Sequence, residues 1–336
     1  MNQGTYKRIL VTGSSAVLGT ALRWISEQYP GRNFRFLTSR DCDLTEKDAT
    51  FKCIESFQPD AIIHLAALSG GISLSMNHPA TILRENVSMN LNVLEAARAF
   101  KVAKIVMTLS TGMYPADAPN PLREEYIHNG YPHESNYGYA FAKRLVDPAI
   151  RAYRTEYGMN VIGLIPNGIF GENDNFNHED ASMLPALIRR FYENRSGASK
   201  ITVWGDGSPL REYTYARDLA RAYMWCLDNY DCQQVLNIGS TEEHSIKEIA
   251  FMVADSIGIN SNRIEFDLAK PAGIFKKSTD NSRFVNLSCF TYTPFRTGLE
   301  YTIRWFIRTA EEHPERLRLG SKLKVKVRTV QPEVTE

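Results

Sequence analysis

Tyr139-Ala140-Phe141-Ala142-Lys143 sets a phenol and an ammonium four residues apart, which on a helix is one turn and one face. A phenol ordinarily titrates near ~10, and a fixed neighbouring cation stabilises its anion and draws that value down. Such a pair can pass a proton to a carbonyl oxygen at neutral pH. The same spacing also describes an exposed helical pair with no chemistry. Weight is added by Leu109-Ser110-Thr111, which closes an apolar run and offers a hydroxyl to a substrate oxygen.

A second group has the pattern of a cofactor loop. Gly13-Ser14-Ser15-Ala16-Val17-Leu18-Gly19 follows the apolar run Arg8 to Thr12, and Val17, Leu18, Ala21, Leu22 and Ile25 then recur at helical spacing. Strand, glycine loop and helix in that order are the context of a dinucleotide fingerprint. Gly13 would permit the tight turn, and Gly19 the close packing of helix on strand beneath a pyrophosphate. Ala16 replaces the middle glycine of the pattern, and a plain glycine-rich turn is the alternative. The second strand ends in Thr38-Ser39-Arg40 with no acid before Asp41. An acid there would bind the ribose hydroxyls of NAD, whereas an arginine accommodates a 2′-phosphate. The expectation is NADP(H), with Ser39 and Arg40 on the phosphate and Asp43-Leu44 at the adenine. A solvated Arg40 is the alternative.

These groups need a frame, and the alternation of strand and helix supplies one. Phe34 to Thr38 precedes a helix from about Glu46 to Phe57; Ala61 to Ala67 precedes Val87 to Phe100; Ile105 to Ser110 precedes one long helix from Tyr139 to Tyr157. Val161 to Ile165 and Val235 to Ile238 add two buried strands. Nearly all-apolar strands separated by helices imply a parallel sheet covered on both faces, with ligands at the carboxyl ends of its strands. The expected fold class is α/β: a Rossmann-type doubly wound parallel sheet with a smaller, discontinuous C-terminal substrate lobe. Residues 1–170 with 213–240 would form the NADP-binding domain, and 171–212 with 241–320 the lobe. The lobe opens with a polar loop and an amphipathic helix around Leu184 to Phe191. In the tail, 321–336, Lys322 to Arg328 alternates with period two, as in an exposed edge strand or a frayed end.

A chain of 336 residues, 43% of them hydrophobic, has room for roughly two domains at ~150 residues each. Lys and Arg total 39 against 38 Asp and Glu, and a net charge of +1 gives no field to attract nucleic acid or an anionic membrane. No stretch approaches the ~18 apolar residues of a spanning helix, and Ile9 to Thr12 is far short of a signal-peptide core. Five cysteines without CxxC spacing fit a reducing compartment, so a cytoplasmic protein is expected, with no metal site.

Together these residues resemble the GDP-L-fucose synthase family of extended short-chain dehydrogenase/reductases, over residues 7 to about 310. The resemblance is carried by His64-Leu65-Ala66-Ala67, Glu85-Asn86, Ser110, the Tyr139/Lys143 pair, Asp174-Asn175-Phe176, Leu184 to Phe191, Val203-Trp204-Gly205, Arg211-Glu212 and Lys270-Pro271. It implies a GDP-sugar substrate and Ser110, Tyr139 and Lys143 as catalytic residues. It also places Leu65, Ala66 and Ala67 at the cofactor, and Thr111, Gly112 and Asn175 at the sugar. Arg190, Arg211 and Lys277 would hold the diphosphate, with Trp204 near the guanosine. Fixed cations suit a ligand with two phosphate charges in a protein of almost no net charge. Taken from the residues alone, Arg189 and Arg190 read as a solvated helix face and Trp204 as core. A homodimer through two long helices is usual for this fold.

The chain departs from the family at the positions that epimerise. The family inverts C3 and C5 of a GDP-4-keto-6-deoxy-sugar and then reduces the C4 ketone with NADPH. Inversion uses a cysteine two residues after the serine and a histidine before the LPAL-like helix; here those positions are Gly112 and Ser182. Epimerisation beside a ketone needs a base on one face and an acid on the other, and neither residue can serve. His178 is the available substitute. The family's Pro-Thr-Asn is Pro166-Asn167-Gly168 and its Pro-Asp-Gly is Pro271-Ala272-Gly273, and a pocket opened by Gly112 and Gly168 would fit a longer sugar such as a heptose. The expected function is C4 reduction of a GDP-4-keto-6-deoxy-hexose or heptose without epimerisation, in deoxysugar biosynthesis for a surface (capsular) polysaccharide. A bifunctional epimerase/reductase using His178, and a non-catalytic NADP-binding regulator, are the competing readings.

Overall fold

The structure is a computed structural model, and it describes residues 6–270 and 275–319. The Pro271-Ala272-Gly273 position and the period-two tail lie outside the described residues. Strands β1 (Arg8–Thr12), β2 (Asn33–Phe36), β3 (Ala61–His64), β4 (Lys104–Thr108) and β5 (Val161–Pro166) lie in one sheet with Leu236–Ile238. Their order from one edge is β2, β1, β3, β4, β5, Leu236–Ile238, and every pairing is parallel. The direction of strand addition reverses between β1 and β3, which opens a crevice at their carboxyl ends.

Side-chain alternation explains why both faces are covered. Leu10, Ile62, Ile105 and Met107 point into one cluster, which packs against α2 (Lys47–Phe57), α4 (Pro79–Ala99), which follows the short helix α3 (Ile72–Asn77), and α6 (Val146–Tyr157). Ile9, Val11, Ile63, Val106, Ile162 and Leu164 point into the other, packing against α1 (Val17–Ser26) and the helix Ala216–Asn229. Each such side chain contributes ~1.5–3 kcal/mol on leaving water. A third cluster, with Phe176, Leu184, Ile188, Phe191, Val203, Phe295 and Phe306 among its members, joins the helices Met183–Glu193, Ile246–Ile257 and Phe295–Glu312. Among the described residues three two-stranded pairings stand outside the main sheet, one of them Ile264–Asp267 on Ile201–Trp204.

Three differences in element boundaries from the sequence reading bear on the site. β3 ends at His64, so Leu65 to Ala67 leave the sheet as loop. Helix α4 begins at Pro79, eight residues before Val87, because proline at the first turn gives up no hydrogen bond. The expected single helix from Tyr139 to Tyr157 is two, α5 (Tyr137–Arg144) and α6, joined at Leu145. Pro148 has no N–H for the Arg144 carbonyl, and that breaks the ladder there.

Candidate active site

Helix α5 and the carboxyl end of β4 bring the proton-handling groups together. Gly138 allows the approach: a Cβ there would stand 2.5 Å from the Pro79 carbonyl oxygen, so α5 lies almost backbone to backbone on α4. Buried Arg144, at the end of α5, donates from Nε to the Met113 carbonyl at 3.0 Å and from Nη1 to the Gly130 carbonyl at 2.8 Å. It thereby pins the 3-10 turn Thr111–Met113 to the helix. Ser110 sits at the head of that turn, its Oγ accepting from the Gly112 N–H at 3.1 Å.

Lys143 is 1% exposed and donates from Nζ to the Thr108 carbonyl at 2.8 Å, with its ammonium 5.8 Å from the centre of the Tyr139 ring. Burial lowers the Lys143 pKa to about 8. The Tyr139 phenol is raised from its ordinary value, first by burial, against a hydrogen bond with Ser110 that lowers it. This corrects the expectation of a depressed phenol. Desolvation of the phenolate outweighs the hydrogen bond with Ser110, and the Lys143 ammonium is turned to a backbone carbonyl. The structure does bring Ser110, Tyr139 and Lys143 into one cluster.

Beneath them is a polar chain the sequence reading did not connect. Fully buried His64 bonds Thr12 Oγ1 through Nδ1 at 2.8 Å and Asn90 Oδ1 through Nε2 at 3.1 Å, while the Ala66 N–H donates to Thr12 Oγ1 at 3.3 Å. Burial first, and then the nearby Lys143 charge, push the His64 pKa down to about 3, so the ring is neutral. Tyr223, from the helix Ala216–Asn229, donates to Thr108 Oγ1 at 3.0 Å. In the sequence His64 stands only within the His64-Leu65-Ala66-Ala67 motif, and no spacing links it to Thr12, Asn90 or Tyr223.

The glycine loop fits a dinucleotide. Gly13 has a φ of +67°, and a Cβ there would stand 2.6 Å from the Ala66 N, so the turn after β1 abuts the loop after β3 at the crevice. Buried Ser14 Oγ has no hydrogen-bond partner among the described residues, and Ala16 leaves the N-terminus of α1 without a side-chain cap. The first turn of α1 thus keeps backbone N–H groups that no side chain satisfies, as an anion-binding helix N-terminus would. Ser15 and Ala16 are exposed there, Val17 is half-buried, and Leu18 and Gly19 pack inward. Ser39 and Arg40 are exposed beyond β2, where Asp41 accepts from the Thr38 N–H and hydroxyl, both at 2.7 Å, and so folds its charge back on the loop. The Asp43 carboxylate closes its own turn onto Thr45 at 2.6 Å. Leu44 packs its side chain into the core at 7% exposure, and its carbonyl accepts from the Thr50 hydroxyl at 3.2 Å and from Asn92 Nδ2 at 3.0 Å.

The expected substrate contacts fall into two places. Arg190 and Trp204 line one shallow pocket of about 260 Å³ with Asn194, Lys200, Ile201 and Thr202. Trp204 is 57% exposed, which removes the reading as core, and Arg190 is held by the Thr202 carbonyl at 2.8 Å. Arg211 and Lys277 are neighbours elsewhere in the lobe. Burial and the Arg211 charge lower the Lys277 pKa to about 8. The two cations therefore stand close together. Asn175 is spent locally, donating to Asp180 at 2.9 Å and accepting from the Asn177 N–H.

One further expectation is corrected. A Cβ at Gly168 would land on the Glu212 carbonyl oxygen and 3.1 Å from the Tyr213 ring, so Gly168 opens no space for a longer sugar. His178 is exposed and paired with Glu193 at 2.9 Å. At Gly112, by contrast, a Cβ would meet only Asn136 Nδ2 at 3.2 Å and Ser110 Oγ at 3.4 Å.

The NAD dependent epimerase/dehydratase family matches residues 9–239. A GDP-L-fucose synthase of Dictyostelium discoideum is 36% identical over 317 residues, spanning 93% of this chain and 99% of that protein. The crystal structure of a GDP-L-fucose synthetase from Naegleria fowleri bound to NADP aligns with a TM-score of 0.85 at 32% identity, over 93% of this chain and 96% of that one. A GDP-mannoheptose C4 reductase from Campylobacter jejuni with NADP bound aligns with a TM-score of 0.82 at 25% identity, over 91% and 99%. The chain therefore belongs to the NAD dependent epimerase/dehydratase family, and the GDP-L-fucose synthases are among its relatives.

Proposed function

We propose that the protein is an NADPH-dependent reductase of the C4 ketone of a GDP-4-keto-6-deoxy-sugar, hexose or heptose, that leaves C3 and C5 as it finds them. The observation that carries this is the Ser110, Tyr139 and Lys143 cluster beside a residue, Gly112, that has no group to move a proton at carbon. The similarity to GDP-L-fucose synthases supports the substrate class, and the similarity to a GDP-mannoheptose C4 reductase supports the reaction.

The loop Gly13 to Gly19, Ser39, Arg40, Asp43, the Leu44 backbone and Leu65 to Ala67 would hold NADP(H), with Tyr139 and Lys143 at its nicotinamide end. NADPH, when bound, supplies the hydride. Ser110 and Tyr139 present hydroxyls to the C4 oxygen, and Tyr139 gives it a proton. A phenol raised by burial is protonated at neutral pH, so it enters the reaction as an acid. Lys143, still charged below about pH 8, favours the phenolate that remains. Arg211 and Lys277 would hold the diphosphate, and Arg190 and Trp204 the guanosine, in the lobe formed by 171–212 and 241–320.

Epimerisation has no equipment in this reading. Gly112 and Ser182 cannot hold a proton at pH 7, and His178 is engaged with Glu193 on the surface. Reduction in heavy water tests this. The product should carry hydride at C4 and no deuterium at C3 or C5 above a Tyr139→Phe control. Deuterium above that control, lost in His178→Ala, would establish the bifunctional reading instead.

A further inference from the structure

Asn136 stands at the N-terminus of α5, three residues before Tyr139. Asparagine is among the strongest helix N-caps because its side-chain oxygen accepts from the N–H groups of the first turn. Here it makes no such bond, and its carboxamide has no hydrogen-bond partner among the described residues. The amide nitrogen instead lies 3.2 Å from where a Cβ on Gly112 would stand, and that same point is 3.4 Å from Ser110 Oγ. An atom of a ligand occupying the vacancy over Gly112 therefore touches both the serine hydroxyl and the asparagine amide. A side chain at 112 would fill that space and press on the amide; the glycine leaves it to the ligand.

Resting on the reductase reading, in which Ser110 and Tyr139 hold the C4 oxygen, the chemistry of the group facing Asn136 follows. In a 4-keto-6-deoxy-sugar the carbons flanking the ketone are C5, which carries the ring oxygen and the deoxygenated C6, and C3, which carries a hydroxyl. C3 bears the only hydroxyl adjacent to the ketone. We propose that Asn136 is a specificity-determining residue whose Nδ2 donates to the C3 hydroxyl, through the opening that Gly112 leaves beside Ser110. It gives up its helix cap to do so, and it fixes the sugar with one configuration at C3, in keeping with an enzyme that does not invert that carbon. A neutral hydrogen bond of this kind corresponds to roughly three- to tenfold in affinity.

The test uses the full-length protein saturated with NADPH, titrated calorimetrically with GDP-6-deoxy-mannose and with its 3-deoxy counterpart. Both already carry a C4 alcohol, so neither reacts in that complex. The wild type should bind the 3-hydroxy ligand about three- to tenfold more tightly than the 3-deoxy one. Asn136→Ala should lose that preference by weakening only the 3-hydroxy ligand. Equal binding of both ligands by the wild type, or equal weakening of both in Asn136→Ala as a purely structural role would give, overturns the assignment. NADPH oxidation with the matching 4-keto sugar separates the two claims. Discrimination in binding without turnover keeps Asn136 and removes the reductase; turnover without discrimination does the reverse. Failure to bind either ligand overturns both.

Discussion

The ammonium of Lys143 is tied by a 2.8 Å hydrogen bond to the carbonyl oxygen of Thr108, the last residue of β4. That bond couples the helix carrying the acid to the strand whose end carries Ser110. It also explains why a fully buried lysine is tolerated, since one of its three donors is satisfied by the sheet itself.

Loss of either proton-handling group should separate chemistry from binding. Tyr139→Phe should lower the rate of reduction by ~100- to 10,000-fold while NADPH affinity changes little, because the ring still packs and only the acid is gone. Lys143→Met should cripple turnover and also weaken NADPH. Stopped-flow hydride transfer with fluorescence titration of NADPH distinguishes the two; near-normal turnover in Tyr139→Phe would remove it as the proton donor.

The pH profile should have one falling limb. Burial puts Lys143 at about 8, so it is charged below that and neutral above, while Tyr139 is protonated throughout the neutral range. kcat/KM should be level below about pH 7.5 and fall above about 8. No rising limb near 6.5 is expected, since His64, at about 3, is neutral throughout. A bell with a histidine-like acid limb would contradict this.

His64 should reveal itself in stability rather than rate. Its folded pKa of about 3 lies below the unfolded value, so between them the unfolded chain binds the extra proton. The associated stability is complete above pH 6.5 and is lost as pH falls toward 3, with a slope of up to about 1.4 kcal/mol per pH unit. Urea denaturation from pH 4 to 7 should give a shallower pH dependence for His64→Asn than for the wild type, by up to one proton. Equal slopes would mean that the ring is not buried neutral.

Cofactor choice should depend on Arg40. The wild type should prefer NADPH to NADH, and Arg40→Ala should narrow the gap by roughly ten- to a hundredfold, the worth of a charge-assisted hydrogen bond of ~1.5–3 kcal/mol. Asp41, folded back onto Thr38, should not take over ribose recognition. Equal kcat/KM for the two cofactors in the unmutated protein would refute the assignment.

Backbone contact beneath the site should be intolerant of a single methyl. Gly138→Ala would set a Cβ 2.5 Å from the Pro79 carbonyl, and overpacking of that kind costs ~1–3 kcal/mol. Because α5 carries both Tyr139 and Lys143, activity should fall with the melting temperature. A variant as stable and active as the wild type would show that the two helices can part freely.

The sequence by itself determined what is local. Apolar runs gave the strands β1, β3, β4 and β5, the order of strand and helix gave a parallel doubly wound sheet, and i, i+4 spacing put Tyr139 and Lys143 on one helix face. These follow from periodicity and turn chemistry, which neighbours in the chain dictate. What faces each functional group came from residues far away in the chain, which no spacing rule contains. Thr108 takes the Lys143 ammonium, Glu212 fills the space that Gly168 was expected to open, Glu193 holds His178 at the surface, and Gly112 leaves Asn136 facing Ser110. The phenol of Tyr139 is raised rather than lowered for the same reason: its proton affinity is set by how much water the assembled fold excludes, and only packing decides that.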